Sequence, residues 1–141
     1  MARIVRGGVI QATLSEPATA PVEKIKQSMI DKHIDLIAQA ADMGAQVICL
    51  QELFYGPYFC AEQDTKWYEL TERIPDGPTT RLMQELAKMH SMAIVVPMYE
   101  EDLTGVYYNS ASMIDADGSY LGKFRKMHIP HCAPGFWEKF Y

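Results

Sequence analysis

Cysteine is scarce in this 141-residue sequence, which has three: Cys49, Cys60 and Cys132. An odd number without Cys-x-x-Cys spacing implies neither a disulfide framework nor a zinc site, so free thiols are the default. Basic charge is also short, with 13 Lys and Arg against 18 Asp and Glu and a formal net charge of -5. That balance offers no field for a polyanion and argues against nucleic acid or an anionic membrane as partner. No apolar run approaches the roughly 18 to 20 residues that span a bilayer, and Met1 to Gly8 has no hydrophobic block behind Arg3 and Arg6 to make a signal peptide. A cytoplasmic protein is expected. Neither a Gly-x-Gly-x-x-Gly nor a P-loop pattern occurs, and Gly7-Gly8 precede a strand core instead of opening a helix, so nucleotide binding has no support. Repeats, low-complexity tracts and linkers are absent too.

What is present is an ordinary globular composition, 48% hydrophobic and 22% charged, with room for one domain. Ile4 to Leu14, with β-branched Ile4, Val5, Val9 and Ile10, reads as a first strand ending at Ser15-Glu16-Pro17. From Pro21 to Met43 apolar residues recur at three and four (Val22, Ile25, Met29, His33, Leu36, Ile37, Ala40), and Gly44 follows, which predicts an amphipathic helix with a glycine stop. Ala45 to Leu50 is a short apolar run suited to a buried parallel strand reached by a β-α-β crossover. After the aromatic, turn-rich stretch Leu53 to Gln63, Thr79 is placed to cap a helix running to about His90. Ala93 to Tyr99 reads as another buried strand, interrupted by Pro97, and Glu100 to Gly105 as a polar loop. Tyr107 to Ile114 and Ser119 to Lys126 flank Asp115-Ala116-Asp117-Gly118, a strong hairpin pattern. The order β-α-β-α-β-β implies an α/β layered sheet with its helices on a face and one antiparallel hairpin.

Ligands of open α/β sheets collect at the carboxyl ends of strands. Glu52 follows Val47 to Leu50 directly and precedes the aromatic loop, where a carboxylate is expected to be partly desolvated, as a working base needs to be. Lys126 ends the second hairpin strand. Taken singly, each has a plainer reading: a solvated or salt-bridged strand-end Glu, and a basic strand end in water. His33 lies on the helix's apolar face as a core residue, and His90 ends a helix. His128 and His131 form a His-x-x-His without further ligands, so no metal is implied.

Together, Leu50-Gln51-Glu52-Leu53-Phe54 after a β-α-β unit, Asp115-Ala116-Asp117-Gly118, and Gly122-Lys123-Phe124-Arg125-Lys126-Met127-His128-Ile129-Pro130 resemble the nitrilase (carbon-nitrogen hydrolase) superfamily. Tyr58-Phe59-Cys60, Asp76-Gly77-Pro78-Thr79-Thr80-Arg81 and Pro134-Gly135-Phe136-Trp137-Glu138 narrow the resemblance to the N-carbamoyl-amine amidohydrolases, of the β-ureidopropionase and N-carbamoylputrescine amidase types. The resemblance implies an α/β fold, the N-terminal half of a four-layer α-β-β-α sandwich, with residues 1–141 forming part of a single domain about twice as long. It implies a Glu-Lys-Cys mechanism in which Glu52 matches the general base and Lys126 the residue that stabilises the oxyanion. Glu138 matches a second glutamate that positions substrate or relays a proton. The chemistry suits an amide-like bond, because a thiol near pKa 8.5 needs a base held close, and a fixed cation meets the charge that forms on the attacked oxygen.

The family's cysteine falls beyond Lys126 in a Gly-x-x-[Ile/Val]-Cys context that residues 1–141 do not contain. Cys49 reads as a small buried hydrophobe; Cys60 and Cys132 lie in loops bordering the site without the nucleophile's context. The resemblance implies a small N-carbamoyl amine as substrate, N-carbamoyl-β-alanine before N-carbamoylputrescine, no metal or organic cofactor, and a homo-oligomer. Two other classes stand beside it. One is a non-catalytic scaffold half that binds a partner through its sheet face. The other is a flavodoxin-like module, which would need Ser15 to Thr19 to cradle phosphate, and there Glu16 would repel it.

Overall fold

The computed structural model describes residues 4–141; Met1 to Arg3, part of the stretch read above for a leader, lie outside them. Five strands form one sheet in the order β1-β2-β3-β4-β5. They are β1 (Gly7–Val9), β2 (Val47–Cys49), β3 (Ala93–Leu103), β4 (Val106–Ile114) and β5 (Tyr120–Arg125), with helices α1 (Val22–Asp42) and α2 (Pro78–His90) between the first three. β1, β2 and β3 run parallel, with Gly7 opposite Val47 and Val47 opposite Ala93. β3, β4 and β5 then continue antiparallel. The fold is α/β as expected, and the turn after Asp115 closes as a hairpin with Gly118 at φ 88°.

Four local expectations are corrected. The first strand is a three-residue edge, not Ile4 to Leu14: Ile4 and Val9 are 89% and 85% exposed, so β-branching there is not matched by burial. Helix α2 starts two residues earlier than a Thr79 cap allows. Gly77 is its N-cap and Pro78 its first residue, where a missing N–H goes unnoticed. Thr79 instead donates its N–H and hydroxyl to the buried carboxylate of Glu72, which also pairs with Lys26 of α1 at 2.8 Å and so ties the two helices together.

Pro97 does not interrupt β3. Val95 and Pro97 turn their carbonyls away from β4, toward the amides of Leu50 and Phe54. Pro97 therefore lacks an N–H only on the side where β2 has already ended. Finally, Glu100 to Leu103 is strand, not loop, and this gives a second hairpin, β3-β4.

Glu100 reads as loop because it is charged, yet it is fully buried. Ser110 and Lys123 donate to its carboxylate, as does Arg125 through Nε at 3.1 Å and Nη2 at 2.6 Å. Burial alone would raise its pKa, but the donors from Arg125, Lys123 and Ser110 outweigh that and hold it at about 2. Its folded value lies below its unfolded one, so its contribution to stability is present above the ordinary carboxylate range and is lost as pH falls toward 2. Glu100→Gln is therefore expected to destabilise by about 3 kcal/mol at pH 7, with the gap to the unsubstituted chain narrowing in denaturant titrations between pH 4.5 and 2.5. A gap independent of pH would contradict the assignment.

The core lies between the sheet and the helices. Ile48, Ile94, Val96, Met98 and Ile114 meet Ile25, Met29 and Ile37 of α1 and Met83, Leu86 and Ala87 of α2, all buried. Each large side chain so placed is worth about 1.5 to 3 kcal/mol of apolar transfer. His33 is buried among them: its Nδ1 lies 2.7 Å from the Met29 carbonyl, its ring meets Phe54 edge-on, and burial lowers its pKa.

The opposite sheet face, by strand alternation, carries Val9, Val47, Cys49, Val95, Ala111, Met113 and Phe124. Among the described residues no layer covers it, and Phe124 is 65% exposed. Cys49, expected to be buried, is half-buried for that reason. No helix of the described residues is long and apolar enough to cross a membrane.

Candidate active site

The chain leaves β2 through a turn built on buried side chains. Leu53, Phe54 and Tyr55 are all at or below 2% exposure, and Leu53 adopts φ 52°, a left-handed conformation uncommon for a branched residue. The Tyr55 hydroxyl accepts from the Tyr99 amide at 3.0 Å. Anchoring residues 53–55 inward turns Glu52 outward at the end of the sheet. Glu52 is only partly desolvated there: its side chain is 47% exposed.

Lys126 enters from the end of β5, its backbone N–H held by the Asn109 carbonyl at 2.8 Å. Its Nζ donates to Glu52 Oε1 at 2.9 Å and to Glu138 Oε1 at 2.8 Å. Burial alone would lower the Lys126 pKa, but the hydrogen bonds to Glu138 and Glu52 prevail and raise it. The ammonium is thus charged throughout the neutral range. The three residues singled out in the sequence, 74 and 12 positions apart, converge on one nitrogen.

Glu138 opens a 3-10 turn (Glu138–Phe140), and its side chain is only 5% exposed. Aromatic packing fixes that turn. Tyr99 and Tyr68 donate their hydroxyls to the carbonyls of Tyr141 and Phe140, each at 2.7 Å, and the Trp137 amide donates to Cys60 O at 2.8 Å. Tyr141 meets Phe59 edge-on at 4.8 Å, a contact worth about 0.5 to 1.5 kcal/mol beyond its area. The Tyr58 hydroxyl donates to Glu138 Oε1 at 2.9 Å. Burial first, then that hydrogen bond and the carboxylate's charge, push the Tyr58 pKa upward, so the phenol stays a neutral donor. Glu138 Oε2 is buried with no donor among the described residues.

Lys126 and Glu138 wall a cavity of about 400 Å³ together with Phe59, Tyr99, Tyr107 and Asn109, while Glu52 and Tyr58 line a separate cleft with Gln51 and Pro57. Cys60 also lines the aromatic cavity, 3% exposed. Burial, then the charges of Glu138 and Glu52, push its thiol up to about 12 against the opposing pull of Lys126. At neutral pH Cys60 is a protonated wall residue and a poor nucleophile. Cys132 is exposed in the loop before Gly135 and lines none of this cavity. Among the described residues no three His, Cys, Asp or Glu side chains cluster as metal ligands.

The model of the carbon-nitrogen hydrolase family matches residues 9–141. The chain belongs to that family. Among relatives of this carbon-nitrogen hydrolase chain, a β-ureidopropionase of Arabidopsis thaliana is 38% identical over 130 residues, covering 91% of this chain and 32% of the relative. An N-carbamoylputrescine amidase of Solanum lycopersicum is 43% identical over 106 residues, 75% of this chain and 35% of the relative. A citrullinase of Francisella tularensis is 33% identical over 137 residues, 97% of this chain and 44% of the relative. The chain thus spans from 32% to 44% of the length of these relatives. A solved carbon-nitrogen hydrolase from Helicobacter pylori superposes with a TM-score of 0.81 at 31% identity, over 97% of this chain and 44% of the other.

Reading the sequence missed Asn109 altogether, and it quoted Tyr58 only as part of a motif. Asn109 Nδ2 donates to Glu52 Oε1 at 2.7 Å. The available clue was an amide on the same strand face as Tyr107 and Ala111, in a strand with no other amide or charged residue.

Proposed function

We propose that this chain is the N-terminal part of a single carbon-nitrogen hydrolase domain, the half of a four-layer α-β-β-α sandwich whose second sheet lies against the uncovered face. We further propose that the complete enzyme hydrolyses N-carbamoyl amines. The observation that carries the reading is the Glu52-Lys126-Glu138 cluster, of which Lys126 and Glu138 wall an aromatic cavity, with Glu138 Oε2 buried and lacking a donor among the described residues. A ureido group presents N–H donors to such an oxygen and a carbonyl oxygen to such an ammonium. The relatives named for N-carbamoyl substrates support the same class.

In this reading Glu52 takes the proton of a cysteine thiol contributed by the remainder of the domain, and the thiolate attacks the ureido carbonyl. Lys126 meets the charge on oxygen, and the C–N bond to the terminal nitrogen breaks as that nitrogen gains a proton and leaves as ammonia. Water then releases the carbamoyl group from sulfur, and the resulting carbamate loses CO2 to give the amine. Glu138 holds the ureido nitrogen. No step requires a metal or an organic cofactor.

The test is ammonia release by the complete domain from N-carbamoyl-β-alanine, N-carbamoylputrescine, citrulline and a plain carboxamide. N-carbamoyl-β-alanine is expected to turn over fastest, and the 141-residue chain assayed in parallel to release none. A plain carboxamide preferred over every ureido compound would overturn the substrate class; turnover by the isolated chain would overturn the half-domain reading.

A further inference from the structure

Asn109, on β4, touches both halves of the cluster. Its carbonyl accepts the backbone N–H of Lys126 at 2.8 Å, and its side-chain Nδ2 donates to Glu52 Oε1 at 2.7 Å. Lys126 Nζ reaches that same Oε1 at 2.9 Å. No donor among the described residues reaches Glu52 Oε2. The terminal torsion of a half-exposed glutamate is soft, and either oxygen can swing toward a partner. Two donors arriving from β4 and from the end of β5 remove that freedom: they occupy Oε1 and leave Oε2 as the oxygen with basic capacity. Glu138 is built alike, its Oε1 taking Tyr58 and Lys126 while its Oε2 takes no donor among the described residues.

We infer that Asn109 is a positioning residue, which clamps Glu52 Oε1 against Lys126 and so assigns the proton-accepting role to Oε2. The inference rests on the hydrolase reading above. A neutral amide is required at this place, because a carboxylate would set two like charges within hydrogen-bond distance of each other. The other groups that face Glu52 are Lys126 after β5, Glu138 across that lysine, and Tyr58 and Cys60 from the loop after β2, both of which sense its charge. All of these remain when Asn109 alone is changed.

The experiment uses the complete domain with Asn109→Leu, Asn109→Asp and, as control, Glu52→Gln. Asn109→Leu keeps the γ-branched shape, with bulkier methyls, and the backbone bond to Lys126 but removes the donor. It is expected to lower kcat about tenfold or more and to change KM by less than it changes kcat, because the donor removed serves Glu52 while the side chain still walls the cavity. It should also move the acid limb of the kcat/KM profile to higher pH, since the ionised base loses a hydrogen bond. Asn109→Asp, close to isosteric, should move that limb further and carries the test if the leucine variant does not fold. A limb that stays in place in both variants, with kcat falling only as far as the folded fraction, would overturn the positioning role while leaving the hydrolase reading intact. Full activity in Glu52→Gln would instead remove the base assignment, and the role of Asn109 with it.

Discussion

Glu52→Gln in the complete enzyme is expected to lower kcat/KM at least about a hundredfold, the usual consequence of losing a positioned general base. The amide still fits, and it can still accept from Lys126 Nζ and Asn109 Nδ2 through its oxygen, as Glu52 Oε1 does now. What it cannot do is take a thiol proton. Because the Glu52 side chain is half-exposed and packs outside the core, the melting temperature of the variant should stay within a few degrees of the parent. Kinetics and thermal denaturation on the same preparation separate the two effects, and near-parental turnover would sink the assignment of the base.

Lys126→Met should depress the chemical step by about 3 kcal/mol, or more than a hundredfold, by removing the cation that meets the developing oxyanion. The structure adds a second consequence. Lys126 is the ion-pair partner of both Glu52 and Glu138, and Glu138 is almost fully buried, so the substitution leaves a buried carboxylate with only the Tyr58 hydroxyl for support. A moderate fall in melting temperature is expected beside the kinetic loss. Single-turnover acylation distinguishes them, because it reads the chemical step of the folded fraction. Acylation at the parental rate would show that the ammonium has no part in the chemistry.

Periodicity made α1 legible almost to its ends, since Ile25, Met29, His33 and Ile37 repeat the spacing of one helix face and all four are buried. The same logic failed at Glu100, where a charge normally marks solvent. Its burial depends on Lys123 and Arg125, more than twenty positions away, and no local window contains them. The edge strand was overextended because β-branched residues were read as buried where no neighbour covers them. At the site, the motifs were enough to single out Glu52, Lys126 and Glu138. Asn109 and Tyr58 act on partners 57 and 80 positions distant, and that pairing exists only once the sheet and the C-terminal turn are assembled.

Two carboxylates converging on a single ammonium leave the cluster with one negative charge in excess. A thiol that yields its proton to Glu52 does not change that total, because the charge passes from carboxylate to sulfur. When sulfur attacks, the charge passes on to the carbonyl oxygen, and it returns as the leaving nitrogen departs. At each stage it stays near Lys126, beside a cavity walled largely by aromatic rings, where a newly created charge would be costly. The arrangement therefore suits a reaction that relocates a charge already present over one that must generate a new one.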